Sequence, residues 1–107
     1  MDEKKILSII NKETETNLKI KALKFLREEL KDAWIYHASD KWRKGIPDIL
    51  IIYKGQTIAI ELKVGNNKLT QIQKQTLKDI YLAGGESDIF YNMKDLKEYI
   101  KNIKKKH

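Results

Sequence analysis

The stretch Gly45–Lys63 constrains this chain more than any other. Ile49 to Tyr53 is an unbroken apolar run, and Thr57 to Leu62 is nearly one. Both are rich in β-branched residues and bounded by Gly and Pro, so two β-strands joined by a turn are predicted. Three charged residues stand in or beside these strands: Asp48, Glu61 and Lys63. With Lys54-Gly55 as a two-residue hairpin loop, Tyr53 faces Gln56, and the same register puts Asp48 opposite Glu61. Directly opposed residues share a face with their Cβ atoms about 5 Å apart. Two carboxylates that close repel unless a cation or a proton lies between them. Lys63, two residues beyond Glu61, points to the same face. A carboxylate pair with an ammonium beside it, at the end of an apolar strand pair, is the composition of a divalent-metal site for phosphate chemistry.

The rest of the hairpin is apolar on both faces. Leu50, Ile52 and Ala59 accompany the charges, and Ile49, Ile51, Ile58, Ile60 and Leu62 occupy the other side. That pattern predicts central strands covered by helices on both faces.

The helices are legible from their apolar spacing. Leu18, Ala22, Phe25, Leu26 and Leu30 form one stripe over Glu15–Lys31. A shorter helix over Asp2–Asn11 would use Ile6, Ile9 and Ile10. Glu15 stands one turn before the stripe, where an acidic residue complements the helix dipole. Thr70 and Gln73 have the capping-box spacing and open a helix that runs to Ala83, with Leu69, Ile72, Thr76, Ile80 and Ala83 facing inward. Gln73 reads either as part of that box or as a polar group at the edge of the site. Asn92 caps a last helix carrying Met93, Leu96, Ile100 and Ile103, followed by a basic tail, Lys104 to His107, expected to fray. Further strands are predicted at Ala33–Ala38 and Ser87–Tyr91. His37, near a strand end, reads as a surface or hydrogen-bonded histidine before a ligand. The fold class is therefore α/β: a meander of three strands, then a helical crossover to a fourth, giving a mixed sheet flanked by helices.

At 107 residues the chain is expected to form one domain over 1–107. No apolar run approaches the roughly 20 residues of a membrane span, and no secretory leader is read at the N-terminus, so a cytoplasmic location and no membrane partner are expected. The chain has no cysteine, which excludes disulfides and thiolate metal sites. A formal net charge of +7 favours a polyanionic partner, although a lysine-rich surface of ordinary kind accounts for it as well. The loop Ser39–Gly45 carries Lys41, Arg43 and Lys44 around Trp42 and leads directly to Asp48. Such a loop suits a phosphate backbone, with Trp42 either stacking on a base or folded onto the core. Lys68, just before the capped helix, is a further candidate for nucleic-acid contact.

The series Gly45-Ile46-Pro47-Asp48, Glu61-Leu62-Lys63, Leu69-Thr70-Gln71-Ile72-Gln73 and Gly84-Gly85 resembles the VRR-NUC family of the PD-(D/E)xK nuclease superfamily. The resemblance implies a restriction-endonuclease-like core, αβββαβ with an additional C-terminal helix. It implies that Asp48 and Glu61 bind Mg²⁺ or Mn²⁺ together with the carbonyl of Leu62, and that Glu15 matches an acidic residue on the family's first helix. Lys63 would orient or deprotonate the attacking water, or offset charge on the phosphate. Gln73 would match a glutamine at the edge of the site. The Val-Arg-Arg signature is absent, and Trp42-Arg43-Lys44 stands in a comparable basic region. Small stand-alone members occur in phages and bacteria. They are expected to pair as homodimers and to cut branched DNA such as Holliday junctions. The function expected is thus metal-dependent DNA endonuclease. The alternatives are a catalytically silent nucleic-acid-binding module and a nuclease subunit active only with a partner protein.

Overall fold

The structure, a computed structural model, describes residues 2–3, 13–38 and 44–107. Most of the expected helix over Asp2–Asn11, and the loop residues Lys41, Trp42 and Arg43, lie outside the described residues.

Helix α1 (Glu15–Glu29) begins where the Thr14 hydroxyl accepts the Asn17 N–H, with Glu15 in its first turn. Leu18, Ala22 and Leu26 recur every four residues and are fully buried. The helix stops at Leu30, and Ala33 N–H donates to the Leu30 carbonyl to turn the chain into β1 (Trp34–His37). Strands β2 (Ile49–Tyr53) and β3 (Gln56–Leu62) form the expected hairpin. Lys54 (φ 52°) and Gly55 (φ 79°) are both left-handed, the conformation of a type I′ turn, and Tyr53 faces Gln56. A one-residue slip would exchange the faces of every strand residue, so this turn fixes where the charged residues fall.

The sheet order is β1-β2-β3-β4, with β4 (Glu86–Phe90) parallel to β3 and the other pairs antiparallel. Helix α2 (Gln71–Leu82) makes the crossover between the two parallel strands, and α3 (Met93–Lys106) follows β4. One face of the sheet buries Ile49, Ile51, Ile58, Ile60 and Leu62 against Leu18, Leu26, Leu96 and Ile100 of α1 and α3. Each such side chain contributes about 1.5–3 kcal/mol by leaving water. Helix α2 covers the opposite face. Ser87, paired with Ala59, donates its hydroxyl to the Leu77 carbonyl of α2 at 2.7 Å.

Three expectations need correction. The second face of the hairpin is covered only over β3: Ala59 is buried, while Ile52 is exposed and Leu50 half-buried. Helix α2 packs on β4 and does not extend to β1 and β2. Of the expected stripe, Leu69, Thr76 and Ile80 are half-buried and Ile72 and Ala83 are exposed, while the buried residue of α2 is Leu77, because the helix lies along the β4 side of the sheet. The basic tail is helical through Lys106, and the His107 ring meets Tyr53 edge-on at 6.1 Å. Among the described residues, no helix is long and apolar enough to cross a membrane.

Candidate active site

The two carboxylates lie at the open end of the hairpin, opposite the I′ turn. Asp48 and Glu61 are each 1% exposed and are the buried charged residues among those described. Asp48 directly precedes β2, and its carbonyl accepts the Ala38 N–H at 3.0 Å, so β1 and β2 remain joined there. Glu61 is on β3, next to Leu62, and pairs with Ile89 of β4. The last β2–β3 ladder pair is Ile49 with Ile60, and one more step of that register sets Asp48 against Glu61.

The ladder explains what the Asp48 side chain does. Residues flanking a two-residue turn exchange both backbone hydrogen bonds, and alternate pairs do the same. These are Tyr53 with Gln56, Ile51 with Ile58, and Ile49 with Ile60. The next such pair would be Pro47 with Leu62. Pro47 has no N–H to give. The Leu62 N–H donates instead to Asp48 Oδ2 at 2.8 Å. The carboxylate thus replaces a ladder carbonyl and is held by backbone rather than by a flexible side chain. The Leu62 carbonyl points to the same edge, where Pro47 offers no donor. An oxygen there can accept a cation at little cost to the sheet.

The other oxygen of Asp48 faces a cation. Lys19 Nζ of α1 lies 3.2 Å from Asp48 Oδ1, with the lysine 26% exposed and the aspartate 1%. Lys19 was not singled out in the sequence. It follows Leu18 of the apolar stripe and is four residues after Glu15, which sets both on one side of α1. Nothing in its spacing separates it from the other lysines of that helix. Glu15 is half-buried in the first turn. Among the described residues no three His, Cys, Asp or Glu side chains form a metal-sized group.

Lys63 continues β3 by donating its N–H to the Phe90 carbonyl at 3.0 Å, and its side chain is half-buried. Gln73 closes a capping box: its Oε1 accepts the Thr70 N–H at 2.9 Å, and its own N–H donates to Thr70 Oγ1 at 3.1 Å. Its Nε2 takes no part in the box. Lys44 and Lys68 are both exposed.

The approach to Asp48 is fixed by Gly45. Its φ is +87°, and a Cβ there would collide with the Ile72 side chain and lie 3.0 Å from the Ile72 carbonyl. The loop before Pro47 is therefore pressed onto the first turns of α2, the helix that carries Gln73.

A mixed four-stranded sheet with this strand order, helices on both sides and acids at the end of the hairpin defines a restriction-endonuclease-like α/β fold. A solved structure described as a VRR_NUC domain superposes with a TM-score of 0.63 over 78% of this chain and 94% of that one, at 21% sequence identity. The chain has the fold of that domain. No family model matches the chain, and no curated protein matches it.

Proposed function

We propose that this chain is a divalent-metal-dependent DNA nuclease of the VRR-NUC type. The observation that carries the reading is the burial of Asp48 and Glu61 at one hairpin end, with the Leu62 amide fixing Asp48 and Lys63 next in the chain. A stability role does not call for two like charges set opposite each other in a sheet that is otherwise apolar. The likeness to a VRR_NUC domain supports the same reading.

The residues present fit a hard cation. Asp48 and Glu61 supply carboxylate oxygens and the Leu62 carbonyl supplies a neutral one, whereas Glu15 does not join the two carboxylates in a metal-sized group in this structure. All are oxygen donors, as Mg²⁺ and Mn²⁺ prefer. When bound, such an ion supplies Lewis-acid charge on the phosphate and lowers the pKa of a coordinated water. The remaining work falls to the chain. Lys63 neutralises charge developing on the phosphate or takes a proton from the attacking water. Gln73 has its Nε2 amide to orient that water or a phosphate oxygen. Lys41, Trp42, Arg43, Lys44 and Lys68 are proposed to hold the DNA backbone near the site. The substrate proposed is branched DNA such as a four-way junction, cut by a homodimer with two symmetry-related sites in the cytoplasm of a bacterium or a phage-infected cell.

The test is incubation of the purified chain with a labelled junction and a matched linear duplex in Mg²⁺ or Mn²⁺. Cleavage of the junction that disappears in Asp48→Asn supports the reading. Equal cutting of both substrates would remove the structure selectivity. DNA binding without cleavage in either metal would favour the silent binding module.

A further inference from the structure

Helices α1 and α3 run side by side away from the site end of the sheet. Lys21 is two residues beyond Lys19, which touches Asp48, and Met93 is three residues beyond Phe90, whose carbonyl holds Lys63. A groove starts between Lys21 and Met93 and continues toward Lys105, with a far compartment of about 440 Å³. Phe25 and Ile100 form its apolar floor. Its walls carry Lys21, Lys24, Lys97, Lys101, Lys104 and Lys105 against only Glu28 and Glu29.

Lys97, Lys101, Lys104 and Lys105 stand on the flank facing α1, while Asp95 and Glu98 line no part of the groove. Lys104 pairs with Glu29 at 3.1 Å, and Lys21 with Glu13 at 3.0 Å. Among the described residues, Lys24, Lys101 and Lys105 have no carboxylate at ion-pair distance. Lys97 Nζ sits 5.7 Å above the Phe25 ring, which holds its stem along the groove. From Lys97 to Lys105 the helix rises about 12 Å, the axial length of three to four phosphates of one DNA strand.

We propose that this groove is a second nucleic-acid surface, which tracks the phosphate backbone of a DNA arm leading away from the scissile bond. The inference rests on the nuclease reading and adds to it where the uncut part of the substrate lies. A short duplex that covers only the site does not reach the far lysines. A longer one does.

The experiment measures binding of a labelled duplex of about 30 base pairs by fluorescence anisotropy in EDTA over a series of salt concentrations. The wild-type chain is compared with Lys97→Gln/Lys101→Gln/Lys105→Gln and with a control of equal charge loss, Lys31→Gln/Lys74→Gln/Lys78→Gln, at exposed positions outside the groove. Each lost phosphate contact lowers the slope of log K against log salt by about 0.9, so the groove variant is expected to lose about 2–3 in slope and about tenfold or more in affinity at 0.1 M salt. The control is expected to stay within about twofold of wild type, because charges away from the contact are screened over about 10 Å. Lys101→Glu/Lys105→Glu, at two exposed sites, carries the same test should the triple variant fail to fold. Equal loss in groove and control variants would reduce the effect to net charge and overturn the inference. Wild-type affinity in the groove variant of a chain that cuts DNA would overturn it too, while leaving the nuclease reading intact. A wild-type chain that neither binds nor cuts DNA would overturn both.

Discussion

Lys19 Nζ stands 3.2 Å from Asp48 Oδ1 and joins helix α1 to the open end of the β2–β3 hairpin. Asp48 is almost wholly shielded from water, whereas Lys19 keeps a quarter of its surface exposed. The cost of losing the ammonium thus falls on the buried carboxylate. Lys19→Met is expected to lower stability by about 1–3 kcal/mol in EDTA, below the range for a fully buried pair because the lysine is partly solvated. Urea denaturation measures this. In Lys19→Met/Asp48→Asn the two effects should fall short of additivity by about 1 kcal/mol or more.

Asp48 has a structural duty separate from its charge, the bond from Leu62 N–H at 2.8 Å. Asn keeps an acceptor there, and Ala does not. Asp48→Ala is expected to be about 1–3 kcal/mol less stable than Asp48→Asn, since the buried amide loses its partner. Both variants are expected to lose cleavage. Denaturation curves run beside the cleavage assay separate the two roles.

Gly45→Ala tests how tightly the approach loop is clamped. The left-handed φ and the overlap with Ile72 act in the same direction. A loss of about 2–4 kcal/mol is expected from backbone strain and displaced packing together. Gly55→Ala at the open hairpin turn has no neighbour to strike and should cost about 1 kcal/mol from its φ alone.

Gln73 can be divided in the same way. Thr70→Ala and Gln73→Ala each remove one half of the capping box and should each cost about 0.5–1.5 kcal/mol. If Gln73 also serves the reaction, only Gln73→Ala lowers kcat beyond its effect on stability. Equal activity in the two variants would confine Gln73 to the cap.

Tyr99 gives the fold an alkaline limit. Its ring packs on Phe90 at 5.0 Å, and burial first, then the charges of Glu86 and Asp88, push its phenol well above the ordinary value of 10.0. The unfolded chain therefore releases this proton before the folded chain does. Stability is unaffected below pH 10 and falls as pH rises above it. Tyr99→Phe should flatten that decline in urea midpoints measured from pH 9 upward.

The hairpin and its register were legible because β-branched runs, a Gly-containing turn and Pro47 all point to one answer. The caps at Thr70 and Asn92 were equally legible, since a cap is a local device. The uncovered face of β2 was not. An apolar run reads the same whether its second face meets a helix or stands open, and the reach of α2 is a tertiary matter. The stripe of α2 was legible only in part for a related reason: Thr76 and Ile80 turn inward as expected, but Leu77 and Ile72 are both apolar, and only the placement of β4 decides between them. Lys19 was hidden among lysines of the same helix, because partner choice across 29 residues leaves no local trace.

The I′ turn has a consequence for the order in which the molecule forms. Asp48 and Glu61 belong to one hairpin, so they approach each other when it zips, an event of about 1–10 μs. The parallel pairing of β4 with β3 must wait for a helix and a non-local closure. Folding thus brings two like charges together early, while little burial is in place to offset their repulsion. In the folded chain the ammonium of Lys19 on α1 lies 3.2 Å from one of these carboxylates. The two carboxylates that mark the candidate site thus also set a cost on the folding path.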